Sequence, residues 1–328
     1  CNQLRISQNI HHKMNNYTWL QQTLHRFALS SQFMREVAFD VESSFVKSTN
    51  EIDNHIFVAG LARSGTTILL NSLYKSKKFA SLSYADMPFI LAPNLWSKFS
   101  FRKNDENFFE RAHGDGIKVS SESPEAFEEV FWTTFNDKDK KFKKKFKLFV
   151  KLINQKYQKN RYLSKNNQNI KRLELISKLF PSSEILIPFR DPVQHAYSLL
   201  TQHEKFINDS ARDKFIFDYM RLICHTEFGP HYIPLHDENL IYRDDLDINH
   251  WIEQWLLTYK KCYKISKKNS NLHFVCYEKL CSSKKYWHEK LKISGFNETY
   301  NFEFKESRKE ILLEIDNEMV NDAWSIYS

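Results

Sequence analysis

Short apolar runs and longer amphipathic stretches alternate along this chain. Ile56 to Ala59 is an unbroken apolar run and predicts a buried strand. It stops at Gly60. A small-residue turn around Ser64 and Gly65 follows, and Thr66 and Thr67 open an apolar helical stretch from Ile68 to Tyr74. Phe79 to Tyr84 predicts the next strand, ahead of Ala85-Asp86-Met87-Pro88. Ser123-Pro124-Glu125 reads as a helix start leading into Glu128 and Glu129. Phe142, Phe146, Phe149, Ile153 and Tyr157 recur every three or four residues, the period of a helix with one buried face. Glu184 to Phe189 is a second apolar strand, ending at Arg190-Asp191-Pro192. Pro192 suits the first turn of a helix, where a missing N–H costs nothing; that helix continues through Val193, Ala196, Tyr197, Leu199 and Leu200. Trp251, Trp255, Tyr259 and Cys262 keep helical spacing and read as core. Residues 17–46 predict two amphipathic helices ahead of the sheet.

Strands alternating with helices predict an α/β protein, and 328 residues suffice for one large domain with helical additions. We divide it into a helical N-terminal extension, 1–50, packing on an α/β domain, 51–328. There is no Pro/Gly/Ser linker and no internal repeat. Aromatic residues make up 15% of the chain, which suits a packed core and equally a groove that stacks flat rings.

The formal charge of +8 has a visible centre. Lys138, Lys140, Lys141, Lys143, Lys144, Lys145, Lys147 and Lys151 crowd the outer face of the Phe142–Tyr157 helix. Such a face is a solvated surface or a dock for a polyanion. Nucleic acid ranks below an acidic glycan, because no reader motif accompanies the charge. Five cysteines at irregular spacing form no metal or disulfide framework and suggest a reducing compartment. The sequons at Asn16, Asn208 and Asn297 are short enough to arise by chance. No stretch of about 20 apolar residues could span a bilayer. A cytoplasmic location of bacterial type is expected, with the Golgi lumen second. The chain opens on Cys1 rather than Met, which leaves room for an upstream targeting segment.

The chemistry concentrates in Gly60-Leu-Ala-Arg63-Ser64-Gly65-Thr66-Thr67. Backbone N–H groups converge at a strand–turn–helix junction and the helix dipole adds positive potential, so the place suits a phosphate or sulfate. A nucleoside-triphosphate loop would carry Lys where Thr66 stands, with its Ser/Thr on magnesium. Here the cation has moved inside the loop, to Arg63. Of six glycines in the chain, two lie in this loop, which argues against a generic turn. The second feature is Arg190 at a strand end, with Ser198 eight residues on. A guanidinium fork matches phosphate oxygens, and ligands of open α/β sheets bind at this edge. A surface Arg paired with Asp191 fits the residues equally well.

Together these two features resemble the sulfotransferases that use 3′-phosphoadenosine 5′-phosphosulfate (PAPS). Arg63-Ser64-Gly65-Thr66-Thr67 is similar to that family's loop for the 5′-phosphosulfate, in the Arg form of the tyrosylprotein and many bacterial members. Arg190 and Ser198 match the spacing of its 3′-phosphate clamp. Lys165, ahead of Leu179-Phe180-Pro181 and the second strand, resembles the lysine that stabilises the bridging oxygen and sulfuryl group, with Asn167 in place of the usual Pro. Val275-Cys276-Tyr277-Glu278-Lys279-Leu280 is similar to a late strand-to-helix segment of the family. The likeness runs from about Ile56 to Leu280 and is weak over 100–160 and in the C-terminal tail.

The resemblance implies a P-loop-like three-layer αβα fold around a mostly parallel sheet. It implies PAPS as donor, no metal, and Arg63, Ser64, Gly65, Thr66, Thr67, Arg190 and Ser198 as donor-binding residues. The expected catalytic groups are Arg63, Lys165 and a base. Arg-loop relatives place a carboxylate about 20 residues after the loop, which points to Asp86; a helix or turn cap ahead of Pro88 is the competing role. His113 is the other candidate base. The expected acceptor is a hydroxyl on a carbohydrate or glycolipid, with an acidic glycan docking near the Lys138–Lys151 helix. A nucleotide kinase or NTPase, and a non-catalytic polyanion-binding protein, are the alternatives.

Overall fold

The computed structural model describes residues 19–46, 54–99, 109–110, 118–119, 123–212 and 214–328. His113, Cys1 and Asn16 lie outside them. Two helices come first, α1 (Trp19–Leu29) and α2 (Gln32–Ser43). Five parallel strands then build the sheet: β1 (Ile56–Val58), β2 (Phe79–Ala80), β5 (Arg161–Lys165), β6 (Glu184–Phe189) and β7 (Leu272–Cys276), in the order β2-β5-β1-β6-β7. A separate two-stranded antiparallel pair, β3 (Phe109–Glu110) and β4 (Lys118–Val119), lies between. The connections are α3 (Thr66–Tyr74), α4 (Pro93–Phe99), α5 (Glu129–Thr134), α6 (Phe142–Tyr157), α7 (Leu173–Leu179), α8 (Pro192–Arg212), α9 (Lys214–Leu222) and α10 (Ile248–Ser266). After β7 come α11 (Tyr277–Ser282), α12 (Lys284–Ile293) and α13 (Asn317–Tyr327).

The central strands β1 and β6 read as near-continuous apolar runs because both faces of the sheet are covered. Phe57, Ala59, Ile185 and Ile187 point to one side, into a core with Phe146, Phe149, Leu199 and Trp255. Ile56, Val58 and Leu186 point to the other, against Leu69, Leu73, Trp287 and Leu291. The fold is therefore a three-layer αβα arrangement around a parallel sheet, as expected. Helices α1 and α2 are tied to it: Phe39 packs edge-on against Phe131, and the buried Glu42 carboxylate accepts the N–H groups of Asn94 and Leu95 at the start of α4. Helix α6 buries its Phe stripe and exposes Lys143 and Lys144, next to exposed Lys138, Lys140 and Lys141 in the turn before it. Among the described residues no helix is long and apolar enough to cross a membrane, and the four described cysteines form no disulfide.

Two boundaries differ from expectation. The strand expected over Phe79–Tyr84 ends at Ala80, because Ser83 and Asp86 close a capping box around a single 3₁₀ turn, Tyr84–Asp86. The helix expected at Ser123-Pro124-Glu125 starts only at Glu129. Glu125 instead donates its N–H to the Leu82 carbonyl, 2.9 Å away, and lies beside the chain leaving β2.

Candidate active site

Register brings the carboxyl ends of β1, β5, β6 and β7 to one edge: Val58 faces Lys165 and Leu186, and Phe189 faces Cys276. Outside that edge opens a cleft of about 570 Å³. Arg63, Thr66, Lys165, Arg190, His225 and Tyr277 are among the residues that line it.

The loop after β1 is shaped by backbone crowding. A Cβ on Gly60 would meet the Pro188 carbonyl at 2.9 Å. Gly65 has φ of +98°, and a Cβ there would meet the Tyr277 ring at 2.6 Å. Gly65 also stands as the N-cap of α3 with no side-chain cap, so no side chain of the cap residue occupies the first N–H groups of that helix. Beneath the loop, buried His195 bonds the Ala62 carbonyl through Nε2 at 2.7 Å. Burial, with Arg190 and Arg63 nearby, lowers the His195 pKa to about 3, so the ring is neutral and Nε2–H is the donor.

Arg63 and Ser198 meet directly: Arg63 Nε donates to Ser198 Oγ at 3.2 Å. The hydroxyl of Thr66 donates to Asn167 Oδ1 at 3.3 Å. Lys165 ends β5 with 8% of its side chain exposed and its Nζ 4.0 Å from Glu125 Oε1. Arg190 does not pair with Asp191. Asp191 caps α8 instead, its Oδ1 accepting the N–H groups of Val193 and Gln194, both at 3.0 Å. The Asp191 N–H in turn donates to Glu278 Oε1 at 2.9 Å, which gives the Tyr277-Glu278 pair after β7 its structural task. Arg190 lies over the Tyr277 ring, 5.8 Å from its centre, and Nη2 donates to the Ser307 carbonyl at 3.3 Å. Its Nε is buried with no partner. A buried guanidinium N–H without an acceptor is costly unless an anion completes it.

Asp86 is not among the residues lining the cleft. Its buried carboxylate accepts the Ser83 N–H at 2.7 Å and the Tyr157 hydroxyl at 2.8 Å, and pairs with buried Lys156. The cap role therefore describes its contacts here. Glu128 is equally committed. Its Oε1 accepts from Trp132 Nε1 and Asn169 Nδ2, and its Oε2 from the hydroxyls of Tyr162 and Ser164. Glu128→Gln puts an NH₂ donor against donors and is expected to cost about 3 kcal/mol of stability. The urea midpoint measures this; an unchanged midpoint would show that the four donors do not depend on the charge. Glu129 forms a two-pronged pair with Arg172.

Sequence reasoning passed over Asn167 as a contact, and missed Gln202, His225, Glu303, Lys305 and Ser307, all of which line the cleft. No spacing rule links residues 303–307 to a loop at 60–67; only the packing of the C-terminal tail brings them together. Among the described residues no group of three or more His, Cys, Asp or Glu side chains could hold a metal ion.

A family model described as "Sulfotransferase family" matches residues 55–227, just over half of the chain. Two similar solved structures are a sulfotransferase from Mycobacterium tuberculosis H37Rv and one from Mycobacterium avium. The first is 12% identical, covers 95% of this chain and 82% of its own, and has a TM-score of 0.48. The second is 12% identical, covers 95% and 78%, and has a TM-score of 0.45. No curated protein matches the chain in sequence.

Proposed function

The chain belongs to the sulfotransferase family, and on that premise we propose that it moves a sulfuryl group from PAPS to a hydroxyl of a carbohydrate or glycolipid. The observation that carries the donor assignment is the single cleft that holds both the α3 N-terminus with Arg63 and the unpartnered Nε of Arg190. The loop N–H groups, Thr66 and Thr67 hold the 5′-phosphosulfate. Arg190 and Ser198 hold the 3′-phosphate, and Arg63 exchanges its bond to Ser198 for the donor. The Tyr277 ring beside Gly65 closes the floor between the two anion sites.

Sulfuryl transfer places negative charge on the equatorial oxygens and on the departing bridging oxygen, much as phosphoryl transfer does. Lys165 and Arg63 supply fixed positive charge where that charge develops, in the cleft they both line. The acceptor oxygen attacks sulfur in line, and the S–O bond to the 5′-phosphate breaks. Adenosine 3′,5′-bisphosphate leaves with the electron pair. What supports a carbohydrate acceptor is charge: the exposed Lys138–Lys144 face complements an acidic glycan.

Calorimetry of adenosine 3′,5′-bisphosphate without magnesium tests the donor assignment, with ATP and AMP for comparison. We expect binding that requires the 3′-phosphate and weakens at least about 10-fold in Arg190→Ala, the cost of one charged hydrogen-bonded contact. Equal binding of all three nucleotides, or unchanged affinity in Arg190→Ala, would overturn it.

A further inference from the structure

His225 lies in the same cleft as Lys165, on a segment that carries no family motif. Its surroundings are built rather than incidental. Phe206 stacks flat on the imidazole, with ring centres 5.7 Å apart and planes 5° from parallel, and Phe228 covers it from 6.0 Å. The backbone is pinned on both sides of the ring. The His225 N–H donates to the Met220 carbonyl at 2.9 Å, and Thr226 Oγ1 accepts from Gln168 Nε2 at 3.3 Å. Nδ1 faces Glu227 Oε2 at 3.4 Å, with the two side chains 14% and 13% exposed. Glu227 is itself held, because Asn167 Nδ2 donates to its Oε1 at 3.4 Å. Asn167 Oδ1 accepts from Thr66, the first residue of α3. Hydrogen bonds therefore link the loop through Thr66 and Asn167 to Glu227, whose other oxygen lies at ion-pair distance, 3.4 Å, from His225 Nδ1.

A carboxylate charge 3.4 Å from Nδ1 favours the tautomer with the proton on that nitrogen, which puts the lone pair on Nε2. Resting on the sulfuryl-transfer reading above, we propose that His225 is the general base that takes the proton of the acceptor hydroxyl, and that Glu227 positions it. The acceptor O–H bond breaks and its proton goes to Nε2. The same oxygen forms the new bond to sulfur as the S–O bond to the 5′-phosphate breaks. The reaction involves no net oxidation or reduction. The Asn167 link ties the base to the loop that holds the donor, so one arrangement of residues 165–167 sets both. Asp86, with its carboxylate bonded to Lys156 and Tyr157, has no such access to the cleft.

The test uses labelled PAPS with octyl β-D-glucoside, tyramine and 4-nitrophenol as acceptors, counting slow hydrolysis by water as transfer. His225→Asn and His225→Ala are expected to lower kcat about 100-fold or more, the usual size of general-base assistance. Affinity for adenosine 3′,5′-bisphosphate should stay within about two-fold, since the base touches the acceptor and not the donor. Glu227→Gln should lower kcat with little change in the KM for acceptor, a split that general loosening of the fold would not give. Near-normal kcat in both His225 variants, with the wild type active, overturns the proposal and leaves the donor assignment standing. So does a loss of turnover matched by an equal loss of bisphosphate affinity, which makes His225 structural. A wild type that binds no bisphosphate and transfers to nothing, water included, overturns both.

Discussion

Lys165→Ala and Arg63→Ala are each expected to lower turnover by about 10²- to 10³-fold, the loss typical of one preorganised donor to a developing charge. Affinity for adenosine 3′,5′-bisphosphate should change far less. The argument rests on where the two cations stand. Lys165 is fixed by the sheet: it is the last residue of β5, opposite Val58, with its Nζ 4.0 Å from Glu125 Oε1 and its side chain lining the cleft. Arg63 is fixed by the loop, with φ of +65° and Nε on Ser198. The bisphosphate lacks the sulfuryl group, so a contact made only to that group does not register in its binding. A contact to the 5′-phosphate does. The split between kcat and bisphosphate affinity thus says which oxygens each cation meets. Because both act on one transition state, the double variant should lose less than the product of the two single losses. Near-normal rates in both single variants would remove the roles assigned to them.

The strand, turn and helix around the loop after β1 were legible in the sequence because they are written in one stretch of chain. An apolar strand, two glycines and a hydroxyl-rich helix start occupy Ile56 to Thr67 in one stretch of chain, although the crowding that requires the glycines comes from Pro188 and Tyr277. Arg190 was legible as a strand-end cation, but its pairing was not. Asp191 could have paired with it, and only the geometry of α8 shows that carboxylate turned back as a cap. Asp86 was placed by its distance from the loop, a rule that measures chain length and not direction. The local signal pointed elsewhere: Ser83-Tyr84-Ala85-Asp86 is a capping box, and the box folds the carboxylate back onto Ser83. The cleft position of His225 gave no signal, because Phe206, which stacks on it, and Asn167, which holds its neighbour Glu227, come from separate segments brought together by tertiary packing. Motif reasoning reads a turn made by one stretch of chain. It passes over contacts assembled from several.

Stability is expected to fall steeply as pH drops from about 6.5 to 5, before most carboxylates titrate. Two buried histidines cause this. Burial, with Arg161 and Lys147 nearby, lowers the His55 pKa to about 4, and that of His195 is lowered to about 3. In each ring a proton on the remaining nitrogen would be costly. His55 Nδ1 accepts the Tyr162 N–H at 3.1 Å, so a proton there would set donor against donor. His195 uses Nε2–H on the loop carbonyl, and its Nδ1 is buried with no partner. The unfolded chain takes up these protons near pH 6.5, and the folded chain does not until pH nears 4 and 3. Below 6.5 the unfolded state therefore binds more protons, and the stability present above 6.5 is lost as pH falls towards the folded values. At about 1.4 kcal/mol per pH unit per ring, the two together remove roughly 4 kcal/mol by pH 5. His236, lowered to about 4, acts in the same direction. Urea midpoints at pH 7.5 and 5.0 measure the loss. The double variant His55→Asn with His195→Gln keeps an acceptor for Tyr162 and a donor for Ala62. It should be less stable at pH 7.5 yet lose much less on acidification. An acid-induced loss equal to that of the wild type would show that these two rings are not its source.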